Sequence, residues 1–164
     1  MEKTLYHGTN RRFKKFVPSA DGLFGAGIYL TDDAEDAMQY GDRLAVVEAN
    51  LVRPFYTVAD YAIGEAYDVD TPAGRLILDV LGEIDGSAAL RRMATAPDFG
   101  IGGLVTDRLL AAGHDGIVAR WPNGIEHVIA FRADQVRLID WIPVPSGASA
   151  EAVLLVIGGS RATW

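Results

Sequence analysis

The sequence predicts an α+β fold, with helices inserted between the strands of a mainly antiparallel sheet, on three observations. Short β-rich runs are punctuated by glycine, and the clearest helical periodicities lie between those runs. The composition, 49% hydrophobic and 23% charged over 164 residues, is that of one ordinary globular domain. A chain of this length buries roughly two-thirds of its unfolded surface, which excludes disorder as its main state.

Leu5-Tyr6 opens the chain as a short strand that ends at Gly8-Thr9-Asn10. Arg11 to Ala26 mixes charge, Pro18 and the turn formers Asp21-Gly22, so it reads as a loop. Ile28-Tyr29-Leu30-Thr31 is the next strand. Asp32 then stands three residues before Glu35, a capping-box spacing, and Ala34, Ala37, Met38 and Tyr40 follow at helical intervals until Gly41, predicting a short helix from Asp33 to Tyr40. Leu44 to Leu51 reads as a strand closed by Arg53-Pro54. Residues 73–95 and 103–112 carry the longer helical patterns, and Gly113 stops the second. Strands return at Gly116 to Ala119, Glu126 to Phe131 and Val136 to Trp141. Residues 143–150 (PVPSGASA) read as a linker, and 152–157 as an apolar strand-like run.

Lys and Arg number 15 against 22 Asp and Glu, a net charge of −7, and no basic stretch exceeds the pairs Arg11-Arg12 and Lys14-Lys15. That counts against a dedicated nucleic-acid binder, whose affinity comes largely from phosphate neutralisation. The absence of cysteine excludes disulfides, thiolate catalysis and Cys-ligated metal sites, leaving His7, His114 and His127 as imidazoles. No run is long enough for a signal peptide or a membrane span, so the expectation is a soluble protein of the cytoplasm of a producing or target cell, without its own delivery region.

Three segments place polar residues inside apolar strand patterns, where they are unfavourable unless paired or used. In Tyr6-His7-Gly8-Thr9 a histidine ends a strand beside a glycine whose bare backbone can approach a ligand; it can equally cap a turn. Tyr29 and Tyr40, eleven residues apart, sit on a strand and the following helix, where two rings can face each other across a slot for one planar ring or simply pack in the core. Glu126 opens a strand and by the period of two shares a face with Val128 and Ala130, while His127 points the other way with Ile129 and Phe131. Such a carboxylate is either an exposed edge residue or a catalytic group aimed into a cleft.

Jointly, the order and spacing of these segments resemble the His-Tyr-Glu branch of the ADP-ribosyltransferase superfamily, the diphtheria-toxin-like and poly(ADP-ribose) polymerase-like group. Tyr6-His7-Gly8-Thr9 resembles its first-strand motif, and Gly27-Ile28-Tyr29-Leu30-Thr31 its second, with Tyr40 as the second tyrosine. Glu126-His127-Val128-Ile129-Ala130-Phe131 followed by Asp134-Gln135-Val136 resembles its catalytic-glutamate strand. Gly113-His114-Asp115-Gly116-Ile117 is similar to a strand entry in phage- and mobile-element-associated members. The resemblance spans roughly residues 4–140, is loosest near 60–100, and implies split antiparallel sheets with inserted helices. Residues 1–142 are then the catalytic domain and 143–164 a linker with a C-terminal strand or tail.

The resemblance implies NAD+ as substrate, cleaved between nicotinamide and its ribose, with ADP-ribose passed singly to an acceptor. It implies that His7 hydrogen-bonds the adenosine-side ribose and that the Gly8 backbone pairs with the nicotinamide carboxamide. By the same resemblance Tyr29 and Tyr40 would sandwich the nicotinamide ring, and Glu126 would hold the 2′-hydroxyl of its ribose. The resemblance also puts Thr9 and Thr31 in the NAD+-binding set, makes His7, Tyr29 and Glu126 the catalytic residues, and implies no metal. Arg11, Arg12, Lys14 or Lys15 meet the pyrophosphate or remain solvated loop charges, and Ser19, Asp21 and Phe24 stand as candidates for the mouth.

Two positions depart from the family pattern. Gly124 stands two before Glu126, where arginine-modifying members carry an acid or amide, and Ala37 stands where a serine contacts the carboxamide in the polymerase relatives. The acceptor is therefore unidentified, with protein favoured over nucleic acid because the chain is acidic. NAD+ hydrolysis without transfer, or an inactive NAD+- or partner-binding module, are the alternatives. A cognate inhibitor or delivery partner belongs with a toxin or effector role.

Overall fold

The computed structural model describes residues 2–20, 22–60, 62–63, 66–95 and 102–144. Nine strands run in chain order among these residues: β1 (Glu2–Thr9), β2 (Ile28–Thr31), β3 (Arg43–Asn50), β4 (Phe55–Val58), β5 (Ala62–Ile63), β6 (Ala66–Tyr67), β7 (Gly116–Arg120), β8 (Glu126–Ala130) and β9 (Val136–Pro143). Four helices are interspersed, α1 (Ala34–Met38), α2 (Pro72–Leu81), α3 (Gly86–Thr95) and α4 (Gly102–Ala111). Seven strands form one sheet in the order β4-β7-β8-β2-β1-β3-β9, while β5 and β6 form a separate hairpin. Every neighbour pair in the large sheet is antiparallel except β4 with β7. The α+β class predicted from the sequence is the fold observed.

The split in the sheet lies between β1 and β2. β1 pairs with β3 along its whole length, from Glu2↔Asn50 to Thr9↔Arg43, and β2 pairs with β8 from Ile28↔Ala130 to Thr31↔His127. β1 and β2 meet at one register pair, Tyr6↔Thr31. Two halves, antiparallel except for β4 with β7, are thus joined through a single register pair.

Alternation along the strands sorts side chains to two faces. On one face Tyr29, Ile117, Ala119, Ile129 and Phe131 pack beneath α2 and α4, and the Tyr6 end of β1 lies under α1 with Ala34, Ala37 and Leu44. On the other face Leu5, Ile28, Leu30, Val47, Val118, Val128 and Ala130 pack against Phe16 from the loop that follows β1. Phe13 of that loop is wedged edge-on against Phe16 and Trp141, with centroids 4.7 and 5.0 Å away.

Four differences from the sequence reading have identifiable physical causes. The pattern at 73–95 is two helices, because Gly82 ends α2 in the left-handed conformation with φ +66°. Asp33, not Asp32, caps α1 by accepting the Asp36 N–H at 2.9 Å. β1 begins three residues earlier than Leu5 because β3 gives it a partner throughout. β4 was not anticipated: parallel to β7, it is recruited by a distant segment that no local pattern reveals. Residues 145–164, including the apolar run at 152–157, lie outside the described residues. No described helix is long and apolar enough to cross a membrane.

Two motifs noted in the sequence prove to be structural joints. Asp115 accepts the backbone N–H groups of Val52 and Arg53 at 2.7 and 2.9 Å, fastening the turn after β3 to the start of β7. Buried Gln135 donates to the Asp115 carbonyl at 2.7 Å and accepts from the Arg132 N–H at 2.8 Å. Leu5 is fully buried where the two halves of the sheet meet Phe16. Leu5→Ala is expected to lower unfolding stability by about 2–5 kcal/mol, read as a lower urea midpoint with an unchanged slope.

Candidate functional site

The parting of β1 from β2 leaves backbone groups that a continuous ladder would have paired, and His7 takes one of them. Its Nδ1 lies 2.8 Å from the Tyr29 carbonyl oxygen. A carbonyl only accepts, so in the neutral imidazole Nδ1 carries the proton and Nε2 is left with its lone pair. Phe13 and Phe16 hold the imidazole edge-on, at centroid distances of 5.8 and 5.5 Å. The next residue, Gly8, lies so close to the end of α1 that a Cβ there would stand 1.7 Å from the Ala37 carbonyl oxygen. Only glycine lets the helix end approach β1 this closely.

Tyr29 points to the helix-bearing face, and its ring is fixed by the loop before β2. The hydroxyl donates to the Gly25 carbonyl at 2.6 Å and accepts the Phe24 N–H at 3.0 Å. Burial pushes the phenol up to about 12, so it stays protonated across the physiological range. Gly22 rests on this hydroxyl, where a Cβ would stand 2.0 Å from the oxygen. Thr31, buried on the same strand, accepts the Asp33 N–H at 3.2 Å and so steers the chain into α1. Tyr40, just past the end of α1, is 62% exposed.

Around the parting lies a cavity of about 720 Å³, within the usual range for small-molecule and cofactor sites. His7, Gly8, Tyr29, Thr31 and Tyr40 all line it, with Ser19, Phe24 and Lys15 from the loop. Two aromatic walls, an imidazole and exposed strand backbone suit a planar heterocycle attached to a polar chain. Thr9 is not on the cavity wall; its hydroxyl accepts the Arg11 N–H at 3.2 Å and shapes the turn. Arg11, Arg12 and Lys14 are likewise absent from the wall, and Asp21 lies outside the described residues.

Glu126 is placed differently from the tyrosines. It begins β8 on the opposite face from Tyr29 and on the same face as His7, and it is not part of the cavity wall. Its side chain is 14% exposed and its two oxygens meet two cations. Arg120 Nη2 donates to Oε1 at 2.6 Å and Lys3 Nζ to Oε2 at 3.0 Å. Asp32 completes the cluster, taking Lys3 at 2.7 Å through one oxygen and the Glu126 N–H at 2.8 Å through the other. The Arg120 and Lys3 hydrogen bonds hold the Glu126 carboxyl below its ordinary value.

Among the wall residues that the sequence reading did not assign to the site are Asp36, Trp121 and His127. His127 sits across from Thr31 in the strand register. The signal that could have found it was available, since the period of two puts it on the Tyr29 face whenever Glu126 faces away. Among the described residues no group of three His, Asp or Glu side chains gathers to hold a metal ion.

A sheet parted at one strand pair, with an aromatic-walled cavity at the parting, has the form of an ADP-ribosyltransferase. The chain belongs to the family described as ADP-ribosyltransferase in polyvalent proteins, which it matches over residues 1–141. No curated protein matches it. Solved structures similar to it include an anti-CRISPR protein, at 21% identity and TM-score 0.47, covering 85% of this chain and 96% of that one. Another is the Mycobacterium tuberculosis MbcT-MbcA toxin-antitoxin complex, at 13% identity and TM-score 0.47, covering 96% of this chain and 90% of that chain.

The charge cluster makes stability depend on pH in a defined sense. Because the folded carboxyl of Glu126 is depressed below its unfolded value, its contribution is fully present above that unfolded value and is lost as pH falls through the folded one. Glu126→Gln is expected to flatten the acid limb of unfolding stability, followed by urea denaturation from neutral to acid pH. An acid limb as steep as that of the unaltered protein contradicts the ionised, doubly paired carboxylate.

Proposed function

We propose that residues 1–142 form the catalytic unit of a mono-ADP-ribosyltransferase that cleaves NAD+ and passes ADP-ribose to an acceptor, with protein favoured. The observation that carries this reading is the meeting of His7, Gly8, Tyr29 and Tyr40 on one cavity in a chain of the ADP-ribosyltransferase family. In this reading the nicotinamide ring stacks between Tyr29 and Tyr40. His7, with its Nε2 free to accept, takes a hydroxyl of the adenosine-side ribose. The Gly8 backbone takes the carboxamide, and Thr31 supports the slot from beneath. The net charge of −7 disfavours nucleic acid as acceptor, because both partners would repel.

Nicotinamide leaves as a neutral ring while positive charge develops on the ribose, so a fixed anion near that carbon lowers the barrier selectively. Glu126 is assigned that role, holding the 2′-hydroxyl. Its lowered pKa supports the assignment by keeping it ionised. Glu126 shares a sheet face with His7 while both tyrosines lie on the other, so the dinucleotide must pass through the parting to engage all four. Lys3 and Arg120 hold the carboxylate at the strand end and share its charge with the substrate.

The test is nicotinamide release from labelled NAD+ by the unaltered protein and by Glu126→Gln, alongside thermal unfolding of both. The variant is expected to fold and to bind NAD+ while losing about 10²–10³ in rate; undiminished release overturns the role given to Glu126. Mass balance then separates the chemistries. ADP-ribose recovered on protein supports transfer, and free ADP-ribose equal to the nicotinamide released means hydrolysis.

A further inference from the structure

A second acid–base pair stands on the cavity wall that the role of Glu126 does not use. His127 Nε2 lies 2.8 Å from Asp36 Oδ2, and the two side chains are only 13% and 16% exposed. Asp36 is on α1, with Tyr40 just past that helix's end, and His127 is two residues along the register from the Tyr29 pairing, on the same face. Trp121 packs edge-on against the imidazole, with centroids 5.4 Å apart. Its indole Nε1 is buried without a hydrogen-bond partner, a donor that is costly to leave unpaired unless a ligand takes it.

We propose that His127 and Asp36 form a base dyad that takes the proton from an O–H nucleophile, an acceptor hydroxyl or water, as it attacks the ribose carbon. The inference rests on the transferase reading and names the acceptor chemistry it uses. A carboxylate only accepts, so Asp36 fixes the proton on Nε2 and leaves Nδ1 with the lone pair a base needs. His127 is the catalytic residue of the pair and Asp36 the positioning residue, orienting the ring and stabilising the imidazolium. An alcohol or water must lose its proton to attack, whereas a carboxylate acceptor is already an anion and needs no base. The dyad therefore serves nucleophiles that must shed a proton, and the O–H group is the one proposed here.

The step balances as follows. The oxygen–ribose carbon bond forms and the ribose carbon–nicotinamide nitrogen bond breaks, its electron pair neutralising the pyridinium. The proton passes from the nucleophile to His127 Nδ1 and then to solvent. The other titratable groups facing the cavity are Asp36, Tyr6, Tyr29, Tyr40, His7 and Lys15. Only the loss of the His127 imidazole removes the base itself, so its variant isolates the dyad from His7.

The experiment compares the unaltered protein, His127→Gln and Asp36→Asn with NAD+ in buffer, with methanol as the hydroxyl probe. It reads initial nicotinamide release from about pH 5 to 9, and methyl ADP-riboside and ADP-ribose by chromatography. The unaltered protein should gain rate as pH rises across this range. His127→Gln should lose that rise and about 10²–10⁴ in rate with little change in KM for NAD+, both products falling together. Asp36→Asn should keep the rise at a lower rate. A His127→Gln protein with the original rate and pH profile overturns the dyad alone; no nicotinamide from the unaltered protein overturns the transferase reading and the dyad with it. NMR of the unliganded, unaltered protein gives a readout independent of turnover and of the folding of any variant. The neutral imidazole of His127 should carry its proton on Nε2, and the opposite tautomer overturns the proposal.

Discussion

The single register pair between Tyr6 and Thr31 is the constraint on which the rest of the structure depends. A sheet paired along its whole length would bury the backbone of β1 and β2 in its own ladder and leave no opening. Held at one point, the two halves stay in one sheet while the strands part enough for side chains to line the gap. His7 makes the parting tolerable by giving the Tyr29 carbonyl a hydrogen bond in place of a backbone N–H. Gly8 then lets the end of α1 settle against β1, bringing Tyr40 to the cavity that Tyr29 enters from the other strand.

In the proposed reading the same parting lets polar residues on opposite sheet faces serve one ligand. By the two-residue repeat, Glu126 and His7 fall on one side and Tyr29, Thr31 and His127 on the other. In an unbroken sheet these sets would be separated by the backbone. In that reading they are two banks of one channel, with the doubly paired Glu126 carboxylate beyond the cavity wall on one bank and the imidazole–carboxylate pair on the wall at the other. Glu126 and His127 are adjacent in the chain, and their alternation gives each bank one group of this strand.

Much of this was legible in the residues before any coordinates. The strands at β2, β7, β8 and β9 announce themselves by apolar runs bounded by glycine or turn residues, and the alternation in Glu126 to Phe131 reads directly as two faces. The gathering of His7, Gly8, Tyr29, Thr31 and Tyr40 on one cavity is what the family resemblance of their motifs implied. What escaped was non-local. β4 is a strand because β7 lies beside it, and Gly82 divides a continuous apolar pattern that could equally have been one helix. Thr9 was grouped with the site although its hydroxyl serves the turn. The pairing of Asp36 with His127 spans 91 residues of chain and has no signature in either segment alone.

The most direct test is a structure of the protein with a slowly cleaved NAD+ analogue bound. The account predicts the pyridine ring lying between the Tyr29 and Tyr40 rings, the adenosine ribose beside His7, and the dinucleotide passing through the parting between β1 and β2. A dinucleotide bound elsewhere on the surface, with the two tyrosines untouched, would contradict it.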